Sequence, residues 1–183
     1  MNSGISFDMV SPRSPTCESA RPASGPVADG SRIGDSPPRV SILIVNFNGA
    51  RVLKNCLDSL QRCGYADREV IVVDNASSDG SLDLLRKYPW AKVIRSETNL
   101  GFAGGNNLGL RHCTGDFVLL LNNDTVVCAG FLEALCQYLS QNVRVAIVQG
   151  KMVLPALGNR LDTCGSFLTW LGLPYHYGHY KLD

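Results

Sequence analysis

The sequence predicts an α/β fold in which an open, mostly parallel sheet is flanked by helices. Three observations support this. Apolar, β-branched runs such as VSILIV from Val40 are typical of strands buried on both faces. Segments with helical spacing alternate with these runs. The connections fit helical crossovers, which join parallel strands in a right-handed sense.

The first strand and helix follow directly from the residue pattern. Val40–Val45 is apolar except for Ser41, and the NFNG that follows stops the strand. A helix from about 50 to 63 is indicated by apolar residues at three- and four-residue spacing, and Gly64 is placed to end it. These apolar positions are Leu53, Cys56, Leu57, Leu60 and Cys63.

The next two strands are separated by a polar turn and a short helix. Glu69–Val73 reads as a second buried strand, and DNASSDG breaks it. Ser81–Tyr88 is then predicted to be a helix, which Pro89 closes because the residue before a proline avoids the helical region. A short third strand is expected at Lys92–Arg95.

The remaining elements repeat this alternation. The glycine-rich NLGFAGGNNLGL is followed by a helix to about His112. A fourth strand is expected at Asp116–Leu121 and a fifth at Val145–Val148. Between them, Phe131–Leu139 carries apolar residues at helical spacing.

Composition sets the organisation of the chain and excludes several partners. Residues 1–39 are rich in serine, proline and glycine without apolar periodicity, so we expect a disordered extension. The net charge of +1 gives no indication of nucleic-acid binding. No apolar run reaches the roughly twenty residues that a membrane span needs. We therefore expect a domain over residues 40–183 in a cytoplasmic protein.

The seven cysteines show no CxxC pair and no zinc-ligand spacing. Cys56 and Cys63 fall within the apolar pattern of the first predicted helix, which suits reduced thiols packed as small apolar side chains. Buried thiols are therefore expected rather than disulfides or metal ligands, and they indicate a reducing compartment.

Polar residues follow each of the first four predicted strands. The clusters are Asn46-Phe47-Asn48, Asp74-Asn75, Asn99 with Gly101, and Asn122-Asn123-Asp124. Asparagine and aspartate are also good turn formers, so each cluster alone has a purely structural explanation. The carboxyl ends of parallel strands lie on one edge, however, where ligands of such sheets bind. Together, the clusters predict a binding site at that edge.

These segments resemble a known family when they are taken in order. VSILIVNFNGARVLKNCLDSL, EVIVVDNASSDGS, NLGFAGGNNLGL and GDFVLLLNNDTVV are similar to the nucleotide-sugar-binding half of the family 2 glycosyltransferases. These are inverting enzymes with the GT-A fold, a Rossmann-like arrangement, and the rhamnosyltransferase-like branch is the most similar. The resemblance runs over residues 40 to 155 and implies a donor-binding portion, truncated at its C-terminus.

The resemblance implies a role for each matching residue. Asp74 would hydrogen-bond the nucleotide base, and Asp124 would hold Mg²⁺ or Mn²⁺ against the donor diphosphate. Asn123 would contact the sugar or ribose. The first position of the family's acidic motif is an amide here, at Asn122, which removes one charge from the metal site. The residues expected to border the donor are Val45, Asn46, Phe47, Asp74, Asn75, Asn99, Gly101, Gly105, Asn106, Asn123 and Asp124.

The implied reaction is metal-assisted transfer of a sugar from a UDP- or dTDP-sugar to an acceptor hydroxyl, with inversion. The acceptor would be a glycan or a lipid-linked molecule of cell-wall or polysaccharide synthesis, reached in the cytoplasm or at the inner face of the membrane, with peripheral association at most. The catalytic base is expected beyond Asp183.

Three other interpretations compete with this one. A silent remnant that only binds nucleotide diphosphates would keep the donor site without turnover. A dinucleotide-binding domain needs GxGxxG after the first strand, where this chain has NFNGAR. A nucleotidyltransferase would usually carry a glycine-rich, basic loop at that position, and none is present.

Overall fold

The computed structural model describes residues 36–163, 166–168, 174–176 and 181. Most of the extension that we predict for residues 1–39 falls on residues 1–35, which lie outside the described residues. Contacts divide the chain into two compact units, and among the described residues one unit ends at Gly150 and the other begins at Lys151.

The first unit alternates strands and helices along the chain. Its strands are β1 (Val40–Asn46), β2 (Arg68–Asp74), β3 (Ala91–Arg95) and β4 (Phe117–Asn122). Its helices are α1 (Ala50–Arg62), α2 (Ser81–Leu85), α3 (Gly101–Leu110) and α4 (Phe131–Gln141). The four strands are parallel and lie in the order β3-β2-β1-β4. The predicted open, parallel α/β sheet is therefore confirmed.

Helices cover both faces of the sheet, which explains why β1 is apolar from Ile42 to Val45. Ile42 and Ile44 of β1 belong to the core that includes α1, α2 and α4. Leu43, between them, belongs to a smaller core on the other face, where Leu108 of α3 packs. Successive side chains of a strand point to opposite faces, so a strand buried on both faces needs no polar alternation.

Two glycines allow α3 to lie close to the sheet. A Cβ at Gly109 would lie 2.2 Å from Leu43 Cδ1, and one at Gly105 would lie 2.7 Å from Val45 Cγ1. A side chain at either position would force the facing Leu43 or Val45 side chain to move. The glycine-rich stretch, which we placed before a helix, is thus itself the helix.

The order of the strands changes direction next to β1. The chain passes from β1 to β2 to β3 on one side, then crosses through α3 to β4 on the other side of β1. Ligands of open α/β sheets bind at the carboxyl ends of the strands where such a reversal occurs. The fold therefore points to the ends of β1 and β4.

The predicted strand at Val145–Val148 is wrong. The segment is apolar and β-branched, but it forms no strand, and Ile147 is 87% exposed. A strand requires a neighbouring strand for its backbone hydrogen bonds, and no described strand pairs with this segment. Local residue preference alone could not reveal that a partner was missing.

The second unit contains two small antiparallel sheets in its described part. β5 (Met152–Leu154) pairs with β6 (Arg160–Thr163), and a turn of 3₁₀-helix at Pro155–Leu157 lies between them. The connection returns through Gly158 and Asn159, both at positive φ. β7 (Ser166–Leu168) pairs with β8 (Pro174–His176).

Cys56, Cys63 and Cys136 are buried free thiols, as the sequence predicted, whereas Cys113 is only partly buried and Cys128 is exposed. Cys17 and Cys164 lie outside the described residues. Within the described ranges, no helix is both long enough and apolar enough to cross a membrane.

The amino edge of the sheet is closed by the carboxylate of Glu69. Its Oε1 accepts hydrogen bonds from Ser41 Oγ at 2.6 Å and from Thr114 N at 2.6 Å, which joins β1, β2 and the turn before β4. Burial alone would raise the pKa of this carboxyl, but these bonds and the nearby Arg39 hold the pKa below its ordinary value.

We expect Glu69→Gln to lower the free energy of unfolding at neutral pH by about 1 kcal/mol, the cost of disturbing partly buried, charge-assisted hydrogen bonds. Because the folded pKa lies below the unfolded one, the carboxylate stabilises fully above the unfolded pKa and loses this effect as pH falls through the folded pKa. Urea unfolding across the acid range measures this, with exposed Glu97→Gln as control. A stability difference that stays constant across that range would contradict it.

Candidate functional site

The polar residues predicted at the strand ends lie along one edge of the sheet. Asn46 is in register with Asp74 on β2, and Val45 is in register with Asn122 on β4. Asp74 is in turn in register with Arg95 on β3. All four strands are parallel, so their carboxyl ends meet at this edge. We refer to it as the carboxyl edge.

A pair of amides joins β1 to the turn after β4. Asn123 Nδ2 donates to Asn46 Oδ1 at 2.9 Å, and Asn46 is fully buried. Gly49 lies directly against this pair: a Cβ there would be 2.3 Å from Asn123 Nδ2 and 2.3 Å from Asn46 Oδ1. The amide pair therefore requires glycine at position 49.

Ser77 connects the end of β1 to the end of β2. Its Oγ accepts from Asn46 Nδ2 at 3.3 Å and from the backbone N of Asn48 at 3.0 Å, and its own backbone N donates to Asp74 Oδ2 at 3.3 Å. Ala76, one residue before, has a φ of 64°, a left-handed conformation that is rare for a non-glycine residue. This turn lets Ser77 fold back on Asp74.

Asp74 is buried, and one oxygen of its carboxylate has no hydrogen-bond partner. The residue is 1% exposed, and Oδ1 has no hydrogen-bond partner, whereas Oδ2 accepts from Ser77. A buried acceptor without a partner costs roughly 1–3 kcal/mol, so such groups are rare and call for an explanation. A ligand that donates a hydrogen to Oδ1 would remove this cost.

The side chain of Asn75 fixes the start of α3. Its Nδ2 donates to Asn99 Oδ1 at 2.8 Å and to Gly101 O at 3.1 Å, and its Oδ1 accepts from Leu100 N at 2.9 Å. Gly101 has a φ of 70°, which the turn into the helix requires and glycine adopts without strain. The end of β2 thus holds the loop after β3.

Asn123 and Asp124 occupy the centre of a turn. Thr125 N donates to Asn122 O at 3.2 Å, and Asp124 is exposed. The Asp124 charge acts on the Cys56 thiol of α1. Burial is the larger cause and this charge the smaller one, and together they raise the pKa of the thiol to about 12. The thiol therefore stays protonated at neutral pH.

The side-chain oxygens at this edge suit a cation that a bound ligand also coordinates. No group of three or more metal-ligating side chains is present in the described part of the chain. Mg²⁺ in nucleotide sites is commonly bound by one or two carboxylates, with substrate phosphates and water completing its shell. A single exposed carboxylate such as Asp124 meets this requirement only when a diphosphate is bound.

The other predicted donor-binding residues differ in exposure. Phe47 is 48% exposed, and Asn99 is exposed as well. Gly105 packs against Val45 of β1, and Asn106 is buried and donates to Phe102 O at 2.9 Å. The structure thus gives Gly105 and Asn106 clear packing roles, and their contact with a donor stays a prediction.

Sequence reasoning placed Asn48 at this edge but missed Gly49, Ser77 and Asp79 as parts of it. Asp79 accepts from Ala50 N at 3.0 Å and from Ser81 N at 2.9 Å, so one carboxylate serves the first turns of α1 and α2. The serines and aspartate of SSDG were visible as turn formers. Their bonds to a loop about thirty residues away were not visible.

A parallel α/β sheet with its polar residues gathered at the strand reversal is typical of nucleotide-binding proteins. Residues 41–160 match the family model described as glycosyl transferase family 2, over more than half of the chain. The chain therefore belongs to family 2 of the glycosyltransferases, as the resemblance indicated.

Curated relatives carry the same kind of name. The chain is 29% identical over 132 residues to the putative glycosyltransferase EpsE of Bacillus subtilis, which covers 69% of this chain and 48% of that protein. It is 31% identical over 101 residues to the cholesterol galactosyltransferase of Borreliella burgdorferi, covering 53% of this chain and 28% of that protein. The chain thus spans less than half the length of either relative.

Solved structures share the fold. TarS of S. aureus in complex with UDP-GlcNAc matches with a TM-score of 0.54 and 27% identity, covering 57% of this chain and 32% of that one. The mannosyltransferase PcManGT of Pyrobaculum calidifontis in complex with GDP-Man and Mn²⁺ matches with a TM-score of 0.57 and 24% identity, covering 72% and 40%. Both likenesses agree with a GT-A type sheet.

Gly49→Ala should break the amide pair, because the new methyl group would occupy the space of Asn46 Oδ1 and Asn123 Nδ2. We expect a loss of about 1–3 kcal/mol in the free energy of unfolding, typical of overpacking. Gly80→Ala is the matched control, because both glycines directly precede a helix but a Cβ at Gly80 meets nothing within 4 Å. Equal losses in the two variants, measured by urea unfolding, would argue against the steric explanation.

Proposed function

We propose that this chain forms the donor-binding part of a glycosyltransferase that transfers a sugar from a UDP- or dTDP-sugar to an acceptor hydroxyl. The observation that carries the proposal is the buried Asp74 Oδ1, which has no hydrogen-bond partner and lies at the carboxyl edge with the Asn46–Asn123 amide pair. Family membership supports the reaction type.

The nucleotide base would be recognised through Asp74. Uracil and thymine both present a ring N–H, and Oδ1 is an acceptor without a partner in a buried position, where a charge-assisted hydrogen bond is strong. The same bond forms with either base, so both nucleotides stay within the proposal. The similarity to TarS, which was solved with UDP-GlcNAc and with UDP, favours uridine.

The diphosphate would lie towards Asp124, on the β4 side of the strand reversal. There Asp124 would hold Mg²⁺ or Mn²⁺, which would offset the negative charge that develops on the departing diphosphate. Asn123, fixed by Asn46, would present its remaining hydrogen-bonding groups to the sugar or ribose. The absence of a second carboxylate at Asn122 makes the site dependent on the ligand's own oxygens.

The other residues of the proposed donor site would surround the nucleotide and sugar. Phe47, exposed after β1, would cover the base, and the turn fixed by Asn75 would bring Asn99 and Gly101 to the same edge. Val45, Gly105 and Asn106 would form the wall behind them.

Inversion would follow from a single displacement. The acceptor hydroxyl would attack the anomeric carbon from the face opposite the diphosphate, while a carboxylate base removes its proton. We expect that base beyond Asp183 and leave the acceptor as a glycan or lipid-linked molecule of polysaccharide synthesis. The rhamnosyltransferase-like branch and a location in the cytoplasm or at the inner membrane face complete the proposal.

UDP with Mn²⁺ should stabilise the chain. At a free nucleotide concentration about a hundred times the dissociation constant, linkage adds about 2.7 kcal/mol to the free energy of unfolding. Thermal unfolding with UDP, dTDP and AMP, each with and without Mn²⁺, tests this. No stabilisation by either pyrimidine diphosphate would contradict the proposal. Sugar transfer by the chain, with NMR of the product anomer, would separate an inverting enzyme from a silent nucleotide binder.

Two carboxylate variants should separate base recognition from metal binding. Asp74→Asn should weaken UDP binding both with and without Mn²⁺ by about 1 kcal/mol, the difference between a hydrogen bond to a charged acceptor and one to a neutral acceptor. Asp124→Ala should remove only the Mn²⁺-dependent part of the affinity. Calorimetric titration measures both, with Asp83→Ala, an exposed carboxylate paired with Arg86, as control. A full Mn²⁺ effect in Asp124→Ala would exclude Asp124 from the metal site.

A further inference from the structure

A segment from Asn122 to Val127 carries Asp124, and helix α1 contacts both ends of this segment. The segment runs from Asn122, the last residue of β4, through the turn to Val127, which is buried. The two contacts come from Cys56 and Ser59, which lie three residues apart and so face the same side of α1. Nothing in the proposed reaction uses either side chain directly.

Cys56 holds the start of the segment. Its Sγ lies 3.7 Å from the backbone oxygen of Asn122, to which the thiol donates. The same oxygen accepts from Thr125 N and closes the turn in which Asn123 and Asp124 are central. Cys56 is fully buried, so its thiol has a fixed direction.

Ser59 holds the end of the segment. Its Oγ accepts from Val127 N at 3.1 Å and donates to Cys56 O at 2.7 Å. Both the donor and the acceptor of the hydroxyl are therefore used in a buried place, since Ser59 is 2% exposed. Loss of this hydroxyl would leave the Val127 amide buried without a partner, which is costly.

The carboxylate of Asp124 depends on this backbone for its position. No hydrogen bond or ion pair to Asp124 occurs among the described residues, and its side chain is exposed. Asn123, its neighbour, is held by Asn46, so the segment is fixed at its start, its middle and its end. These three anchors fix the backbone from which the Asp124 carboxylate projects.

We infer that Ser59 and Cys56 are positioning residues that aim Asp124 at the metal of the proposed donor site. This inference rests on the proposed function, because it gives Asp124 its ligand. The hydroxyl should be the stronger anchor, since a hydroxyl accepts a backbone N–H bond better than a thiol donates to a carbonyl.

The test is the gain in UDP affinity that Mn²⁺ produces, measured by calorimetric titration at a temperature where every variant is folded. In Ser59→Ala we expect this gain to fall about tenfold, as when a group that orients a metal ligand is lost, with metal-free UDP affinity unchanged. Ser59→Thr, which keeps the hydroxyl, should restore the gain. Hydrogen exchange of the Val127 amide should quicken in Ser59→Ala and slow again in Ser59→Thr.

Ser140→Ala is the matched control, because Ser140 Oγ is buried but has no hydrogen-bond partner, and we expect neither affinity to change. An undiminished Mn²⁺ gain in folded Ser59→Ala would overturn the inference alone. If Ser59→Ala does not fold, Cys56→Ala decides by the same ratio, and an undiminished gain there overturns it. A wild-type chain without affinity for UDP would overturn both the inference and the proposed function.

Discussion

The buried amide of Asn46 is the interaction on which the carboxyl edge depends. Its Oδ1 accepts from Asn123 and its Nδ2 donates to Ser77, so one side chain joins the turn after β4 to the turn after β2. A buried amide left without either partner would cost roughly 1–3 kcal/mol. The ends of β1, β2 and β4 are therefore joined through the Asn46 side chain, and the absence of a side chain at Gly49 leaves room for this arrangement.

The two edges of the sheet differ in how completely their polar groups are satisfied. At the amino edge, Glu69 gathers bonds from Ser41 and Thr114 and an ion pair from Arg39, which leaves a closed, stabilising cluster. At the carboxyl edge, Asn46 bonds to Asn123 and Ser77, while Asp74 Oδ1 has no partner and the Asp124 carboxylate is exposed. The edge thus combines a frame of bonded side chains with two carboxylates, one buried and one exposed, and the proposed donor site would use this preorganised arrangement.

The sequence predicted those features that depend on a local residue pattern. It could not predict features that depend on contacts between residues far apart in the chain. The four parallel strands, and the edge shared by Asn46, Asp74 and Asn123, could be predicted because strand polarity fixes where their ends lie. Val145–Val148 has the residues of a strand but lacks a partner. Ser77 reads as an ordinary turn residue, because its bond to Asn48 depends on how two loops meet. The close approach of Gly105 to Val45 could not be predicted either, because it depends on how α3 lies against the sheet.

A crystal structure of this chain with UDP and Mn²⁺ would test the proposed donor site most directly. We predict that the base N–H lies within hydrogen-bond distance of Asp74 Oδ1 and that the metal lies between the diphosphate and Asp124. The Asn46–Asn123 and Asn46–Ser77 bonds should be unchanged by the ligand. A nucleotide bound away from the carboxyl edge, or bound there with Asp74 Oδ1 still lacking a partner, would contradict it.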